Sequence, residues 1–197
     1  MKTFWGKPMS NDVKAEKCAP RESQWLLPED WAWVQMSVPI VCVDIMPIRL
    51  SRTVSNRIKS IGLISRITQR GTLGWCLIGG RLLYGESLVV AIRRQVKETL
   101  GNRIRANLSR KTNPAFIAQY FPSGKHPFCL DPRQHSVGLT YAVELEGIPS
   151  PRGEASAFEW FGVDNLPSFK LFGFNQDRIV KRCLESLREN GSHSQRD

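Results

Sequence analysis

Between residues 45 and 130 the chain is nearly devoid of acid: Glu86 and Glu98 stand against fifteen Lys or Arg. Other shortages narrow the class further. No apolar run approaches the roughly 20 residues that a membrane helix needs, so a soluble protein is expected. The opening residues, MKTFWGKPMS, have neither an apolar stretch nor a small-residue cleavage site, so no secretory signal is expected and the expected location is cytoplasmic. The five cysteines, Cys18, Cys42, Cys76, Cys129 and Cys183, are odd in number and form no C-x-x-C pair. That spacing suits reduced thiols and argues against a zinc site or a disulfide framework.

What is present fits one compact domain. A chain of 197 residues, 41% of them hydrophobic, can bury a real core. The formal net charge of +10 is unevenly spread, because residues 1–37 balance five acids against five bases. A basic field of this kind attracts polyanions such as nucleotides or nucleic acid, with a solvated basic surface as the plain alternative. The basic residues are scattered and match no RNA-binding motif, so any contact with nucleic acid would be nonspecific and salt-sensitive.

Residues 1–37 read as an N-terminal extension in which Pro28-Glu29-Asp30-Trp31 starts a helix, with acids in its first turn. The segments SVPIVCVDIMPI, IGLISRIT and WCLIGG predict three strands. The period then changes: Leu88, Val89, Ile92, Val96 and Leu100 recur at helical spacing from Glu86 onward, and Gly101 stops the helix. Further strands are expected over Ala115 to Phe121, Ser136 to Glu144 and Phe158 to Phe161, separated by long Pro- and Gly-rich loops. A last amphipathic helix is expected over Gln176 to Glu189, closing a domain of residues 38–190 ahead of a disordered tail, 191–197. No internal repeat and no second domain are visible, and the oligomeric state is left open, a homodimer included.

From Gly80 the chain reads GRLLYGESLVVAIRRQVKETLG. Gly80, Glu86, Arg94, Val96, Glu98 and Gly101 fall without a gap on the pattern G-x5-E-x7-R-E-U-x-E-E-x-G, with U apolar, and the stretch resembles the signature of the Nudix hydrolase family. Gln95 and Thr99 stand where that family usually has glutamates. Positions 95, 98 and 99 share one helix face, and carboxylates there would form a hard-oxygen cage for magnesium or manganese. This chain keeps one of them. For Glu98 the alternatives are a metal ligand and a salt bridge with Arg94 or Lys97; for Glu86 they are a brace of the motif loop and an approach to metal.

The resemblance implies an α/β/α sandwich with a mixed central sheet. Within the family the segments PIVCVDI, GLISRIT, GWCLIGGR, DPRQHSVGLTY and GEASAFEW look like the GDP-mannose mannosyl hydrolase branch, over roughly residues 38–165. That likeness implies that Asp44 faces the sugar, that Arg66 and Arg81 hold the diphosphate, and that Gly80 offers its carbonyl to Mg2+ or Mn2+. Arginine suits the task, being permanently charged and able to bond phosphate through two donors; an ordinary surface arginine is the alternative for Arg66.

Two departures bear on catalysis. Where the branch places a metal-binding amide and a general-base histidine, this chain has Glu154 and Ala155. Glu154 can still be a metal ligand, but Ala155 takes no proton, and Gln95 is no base either. The remaining candidates are Glu154, Asp44 and a loop histidine, His126 or His135, the latter being either a base or a residue that binds substrate or packs the loop. With the branch's base gone, a metal-bound water at Glu154 attacking phosphorus is the expected route of any hydrolysis. Trp75, Tyr120, Phe121 and Trp160 are candidates to stack a nucleobase or to fill the core. Two functions follow: a divalent-metal-dependent hydrolase of a nucleoside diphosphate derivative such as a nucleotide sugar, or a weak or inactive Nudix module that binds a nucleotide or RNA.

Overall fold

A computed structural model describes residues 26–51, 53, 57–68, 71–108, 113–123 and 128–193. Cys18, His126 and residues 1–25 of the extension lie outside the described residues, as do residues 194–197 of the tail. Within the described residues the order is α1 (Pro28–Ser37), β1 (Ile40–Leu50), β2 (Ile58–Ile67), β3 (Leu73–Cys76), β4 (Ile78–Arg81), α2 (Leu88–Leu100), β5 (Ile104–Asn107), β6 (Phe116–Phe121), β7 (Cys129–Leu130), β8 (Ser136–Gly147), β9 (Ala157–Gly162) and α3 (Gln176–His193), with one 3-10 turn at Phe169–Leu171. The strands form one mixed sheet along the path β3-β2-β1-β8-β6-β7, to which β4 adds on β1, β5 on β8 and β9 on β2. Helix α2 packs on β1, β4 and β5, and α3 packs on β6. This is the expected α/β/α sandwich.

Strand β1 runs through the centre of the sheet. Residues 43–47 are buried without alternation, as befits a strand covered on both faces. Along one edge it runs parallel to β8; along the other it pairs with β4 through Cys42–Ile45 and then with β2 from Ile48. Pro47, which has no N–H to donate, sits where that edge changes partner. Beyond the change β4 takes the edge of β1 while β3 pairs with β2, and residues of all four strands line a cavity.

The segment WCLIGG is two strands rather than the one expected, broken at Leu77. Its backbone N–H leaves the ladder and donates to the Gln176 side chain at 2.9 Å. The chain thereby passes from the β2 side, where β3 pairs, to the β1 side, where β4 pairs. Short strands β5 and β7 were also unforeseen, their few residues carrying little periodicity.

Helix α2 begins two residues later than its periodicity predicts, because the Ser87 side chain caps it by accepting from the Val90 N–H at 3.4 Å. It ends at Gly101, whose φ of +89° favours glycine. Its buried face is Ala91, Ile92, Gln95, Val96, Thr99 and Leu100, whereas Val89 points outward at 36% exposure. Two polar residues, Gln95 and Thr99, therefore occupy the inward stripe. Helix α3 buries Ile179, Val180, Cys183 and Leu184 and continues to His193, past the expected end of the domain at 190. Helix α1 starts on Pro28 as predicted and buries no residue at all.

Candidate active site

A cavity of about 510 Å³ lies between the diverging strands and the inward face of α2, within the usual size of ligand sites. Asp44 of β1 stands on its floor at 7% exposure. Two glycines make room for it. A Cβ on Gly138 would sit 2.6 Å from Asp44 Oδ2, and one on Gly79 would collide with Oδ1. The Tyr120 hydroxyl donates to Asp44 Oδ2 at 3.1 Å, and Gln176 Nε2 donates to that hydroxyl at 3.1 Å. The bond from Leu77 to Gln176 completes a buried polar chain from the β3–β4 break to the carboxylate. Burial pushes the Asp44 carboxyl up to about 6, against the opposing pull of the Tyr120 bond and the Arg66 charge. A carboxyl that titrates there can exchange a proton near neutrality.

Arginines line the walls. Arg66 of β2 is mostly buried, and its guanidinium reaches Glu154 at 2.8 Å, while its Nε is buried without a hydrogen-bond partner. Arg133 grips Asp131 through two bonds of 2.8 Å. Both guanidinium groups stand over Phe174, at 5.6 and 5.1 Å from the ring centre. Phe174 has a φ of +56°, a left-handed conformation costly for a bulky residue, so the loop before α3 holds this ring between two cations against its local preference. Arg81 of β4 lies over Trp31, which α1 brings to the cavity along with Gln35; the latter bonds Gln134 at 2.7 Å. Arg152 binds the backbone carbonyls of Lys97 and Glu98 at the end of α2.

Of the residues predicted from sequence, Asp44, Arg66, Gly80, Arg81, Glu98 and Glu154 meet in this cavity, whereas Glu86 and His135 do not line it. Glu86 lies beneath the loop that precedes α2 with its side chain 5% exposed; its oxygens accept from Arg94 at 2.7 and 2.8 Å and from the Leu83 N–H at 3.1 Å. The Arg94 bonds hold its carboxyl below the usual range. That is the bracing arrangement. His135 stacks on Phe121 at 4.7 Å. Tyr120 pairs with Ser136, so Phe121 and His135 fall on the opposite face of the pleat from these two cavity residues. Of the four aromatics considered for base stacking only Tyr120 reaches the cavity; Trp75 packs edge-on against Phe161, and Trp160 against Phe158 and Arg49. Sequence reasoning missed Trp31, Arg133, Phe174 and Gln176, although Arg133 lies within the quoted segment DPRQHSVGLTY.

The donor set does not fit the divalent cation that the fold family implies. Among the described residues no three His, Cys, Asp or Glu stand close enough together to hold a metal ion. The inward positions of α2 carry the Gln95 amide and the Thr99 hydroxyl. Glu98, its side chain 56% exposed, pairs with Arg94 at 3.1 Å, and Glu154 is held by Arg66. A Cβ on Gly80 would strike the Gln95 amide.

The chain matches no curated protein in sequence. Among solved structures it is similar to a protein of Jonesia denitrificans described as a possible asymmetric diadenosine tetraphosphate hydrolase, at 27% identity and a TM-score of 0.70 over 77% of this chain and 96% of that one. A MutT Nudix hydrolase of Burkholderia pseudomallei shares the fold at 20% identity and a TM-score of 0.55, over 76% of this chain and 98% of the other. So does a bifunctional NMN adenylyltransferase/ADP-ribose pyrophosphatase of Francisella tularensis, complexed with AMP and a manganese ion, at 17% identity and a TM-score of 0.54, over 81% of this chain and 45% of that one. The fold is thus that of the Nudix hydrolases, and with a family model matching residues 21–187 the chain belongs to the family described as a domain of unknown function, DUF4916.

Proposed function

We propose that the cavity receives a nucleoside diphosphate derivative, a nucleotide sugar or a compound of that class, and that the reaction is its hydrolysis. One observation carries this reading: Arg66, Arg81 and Arg133 stand on the walls of a single cavity whose floor is a buried carboxyl titrating near neutrality. Three guanidinium groups match the charge and the paired oxygens of a diphosphate. Asp44 faces the group attached to it and takes or gives the proton, oriented by Tyr120 and Gln176. Glu86 acts through Arg94 by bracing the motif loop, and His135 backs the sheet. Hydrolysis is supported by the fold and by the activities for which the similar structures are named.

A second reading, a Nudix module that binds the same class of ligand without turnover, is favoured by neutral Gln95 and Thr99 on the cavity face of α2. One experiment separates the two. Nucleotide sugars, dinucleotides and nucleoside diphosphates are titrated calorimetrically and then incubated with the protein, with and without magnesium or manganese, while products are followed by chromatography. Binding with product release supports the hydrolase, binding alone supports the module, and no binding by any compound removes both.

A further inference from the structure

We infer that the cavity binds a diphosphate without a divalent cation, the guanidinium groups of Arg66, Arg81 and Arg133 taking the cation's place. The inference rests on the proposed diphosphate ligand and concerns what neutralises it.

Magnesium at a diphosphate is held by one or two protein carboxylates beside the substrate's own oxygens, in near-octahedral geometry at short distances. Here such carboxylates are already engaged. Arg66, Arg81, Arg94, Arg133 and Arg152 line the cavity, against Asp44, Glu98, Asp131 and Glu154. Three of those four acids already have a cationic partner: Glu154 has Arg66, Asp131 has Arg133 through two bonds, and Glu98 shares Arg94 with Glu86. A dication approaching Glu98 or Glu154 competes with a guanidinium there and faces the remaining cations at short range. The inward stripe of α2 offers no further charge.

A diphosphate meets the opposite situation. It carries several negative charges on oxygens that match the fork of a guanidinium as well as a carboxylate does. Glu154 is two-fifths exposed at the cavity wall, so its hold on Arg66 is the one a phosphate can take over. In the ligand-free protein Glu154 does for Arg66 what a phosphate oxygen would do: it supplies a partner and keeps the guanidinium turned to the cavity, where Phe174 supports its face. The acid is then a competitor of the ligand. If it were a metal ligand, its loss would weaken binding; as a competitor, its loss strengthens binding.

Calorimetric titration with ADP and with inorganic pyrophosphate, in excess EDTA and in excess magnesium, tests this. The wild-type affinity in EDTA is expected to equal or exceed that in magnesium, or to fall short by less than about threefold, under 1 kcal/mol. Glu154→Gln should bind severalfold more tightly in EDTA, and Arg66→Gln about tenfold or more weakly. Binding seen only with magnesium, or a weakened Glu154→Gln that retains its fold by circular dichroism, overturns the inference and leaves the diphosphate reading standing. Absence of binding in both buffers removes the diphosphate reading and this inference together.

Discussion

The Arg81 guanidinium lies 4.1 Å from the centre of the Trp31 ring, and this contact joins helix α1 to the cavity wall. Helix α1 buries no residue, and this pair and the bond between Gln35 and Gln134 help tie it to the domain. A cation held over an indole is worth about 1 kcal/mol when partly exposed, and it restricts where the guanidinium can point. Trp31→Ala should therefore weaken binding of ADP by roughly fivefold. Melting temperature should hardly change. Trp33→Ala, on the outward side of the same helix at 67% exposure, serves as the control and should bind like the wild type. Equal losses in the two variants would refute a role for Trp31 beyond helix packing.

Asp44 should destabilise the fold at neutral pH. Its carboxyl rises from 3.8 to about 6 on folding, so between those values the native state holds more proton than the unfolded chain and stability falls as pH rises. A shift of that size corresponds to a deficit of about 3 kcal/mol above pH 6. Asp44→Asn keeps the acceptor for Tyr120 and removes the charge. The variant should melt several degrees higher than wild type at pH 7 to 8, and the difference should shrink toward pH 4. Thermal melts across that range decide it, and a variant less stable at pH 7 would contradict the assigned cause.

The same group sets the pH dependence of any turnover. If Asp44 accepts the proton, kcat/KM should rise through about pH 6 and level above it, and Asp44→Asn should abolish the rise along with most of the rate. A profile without an inflection between pH 5 and 7 would take the proton-transfer role from Asp44.

The Glu86–Arg94 pair should be the costliest contact of the motif to break. Arg94→Ala leaves a carboxylate that is 5% exposed facing only the Leu83 N–H, and it also removes the bond from Arg94 to the Arg81 carbonyl. The expected loss is about 3 kcal/mol, a fall in melting temperature on the order of 5–10 °C. Because the Glu86 carboxyl is depressed below 4.5 in the folded protein, its contribution is full above that value and fades as pH falls through the lowered one. Denaturant unfolding at pH 7 and at pH 3 measures both.

Glu98→Gln should be nearly silent in stability. Its pairing with Arg94 is an exposed i,i+4 contact worth about 0.5 kcal/mol, and Arg94 retains its two bonds to Glu86. Urea denaturation should place it within that margin of wild type. A loss of 2 kcal/mol or more would mean that Glu98 holds something other than Arg94.

Much of the architecture was legible in the chain because it is written locally. The helical period of Ile92, Val96 and Leu100, the stop at Gly101 and the Pro28 start depend on a few neighbouring residues, and all three appear in the structure. The spacing of Gly80, Glu86, Arg94 and Glu98 carried the likeness to the Nudix signature by the same local logic. The break at Leu77 was not legible, since its cause is Gln176, 99 residues away.

The sequence by itself determined which side chains can carry charge or move a proton, and where helices and strands begin, since composition and period act over one or two turns of chain. Only the tertiary structure decided which of them meet. The strand register that puts Tyr120 and Ser136 toward Asp44 necessarily turns Phe121 and His135 away, because a shift of one residue along a strand exchanges its faces. Glu86 and Glu98, two acids on one motif, separate into a buried brace and an exposed partner of the same Arg94, and Arg133, Phe174 and Gln176 reach the cavity from loops and a helix with no spacing in common. Desolvation and pairing are set by neighbours distant in sequence, so the charge that each acid presents to a ligand is a property of the packed fold.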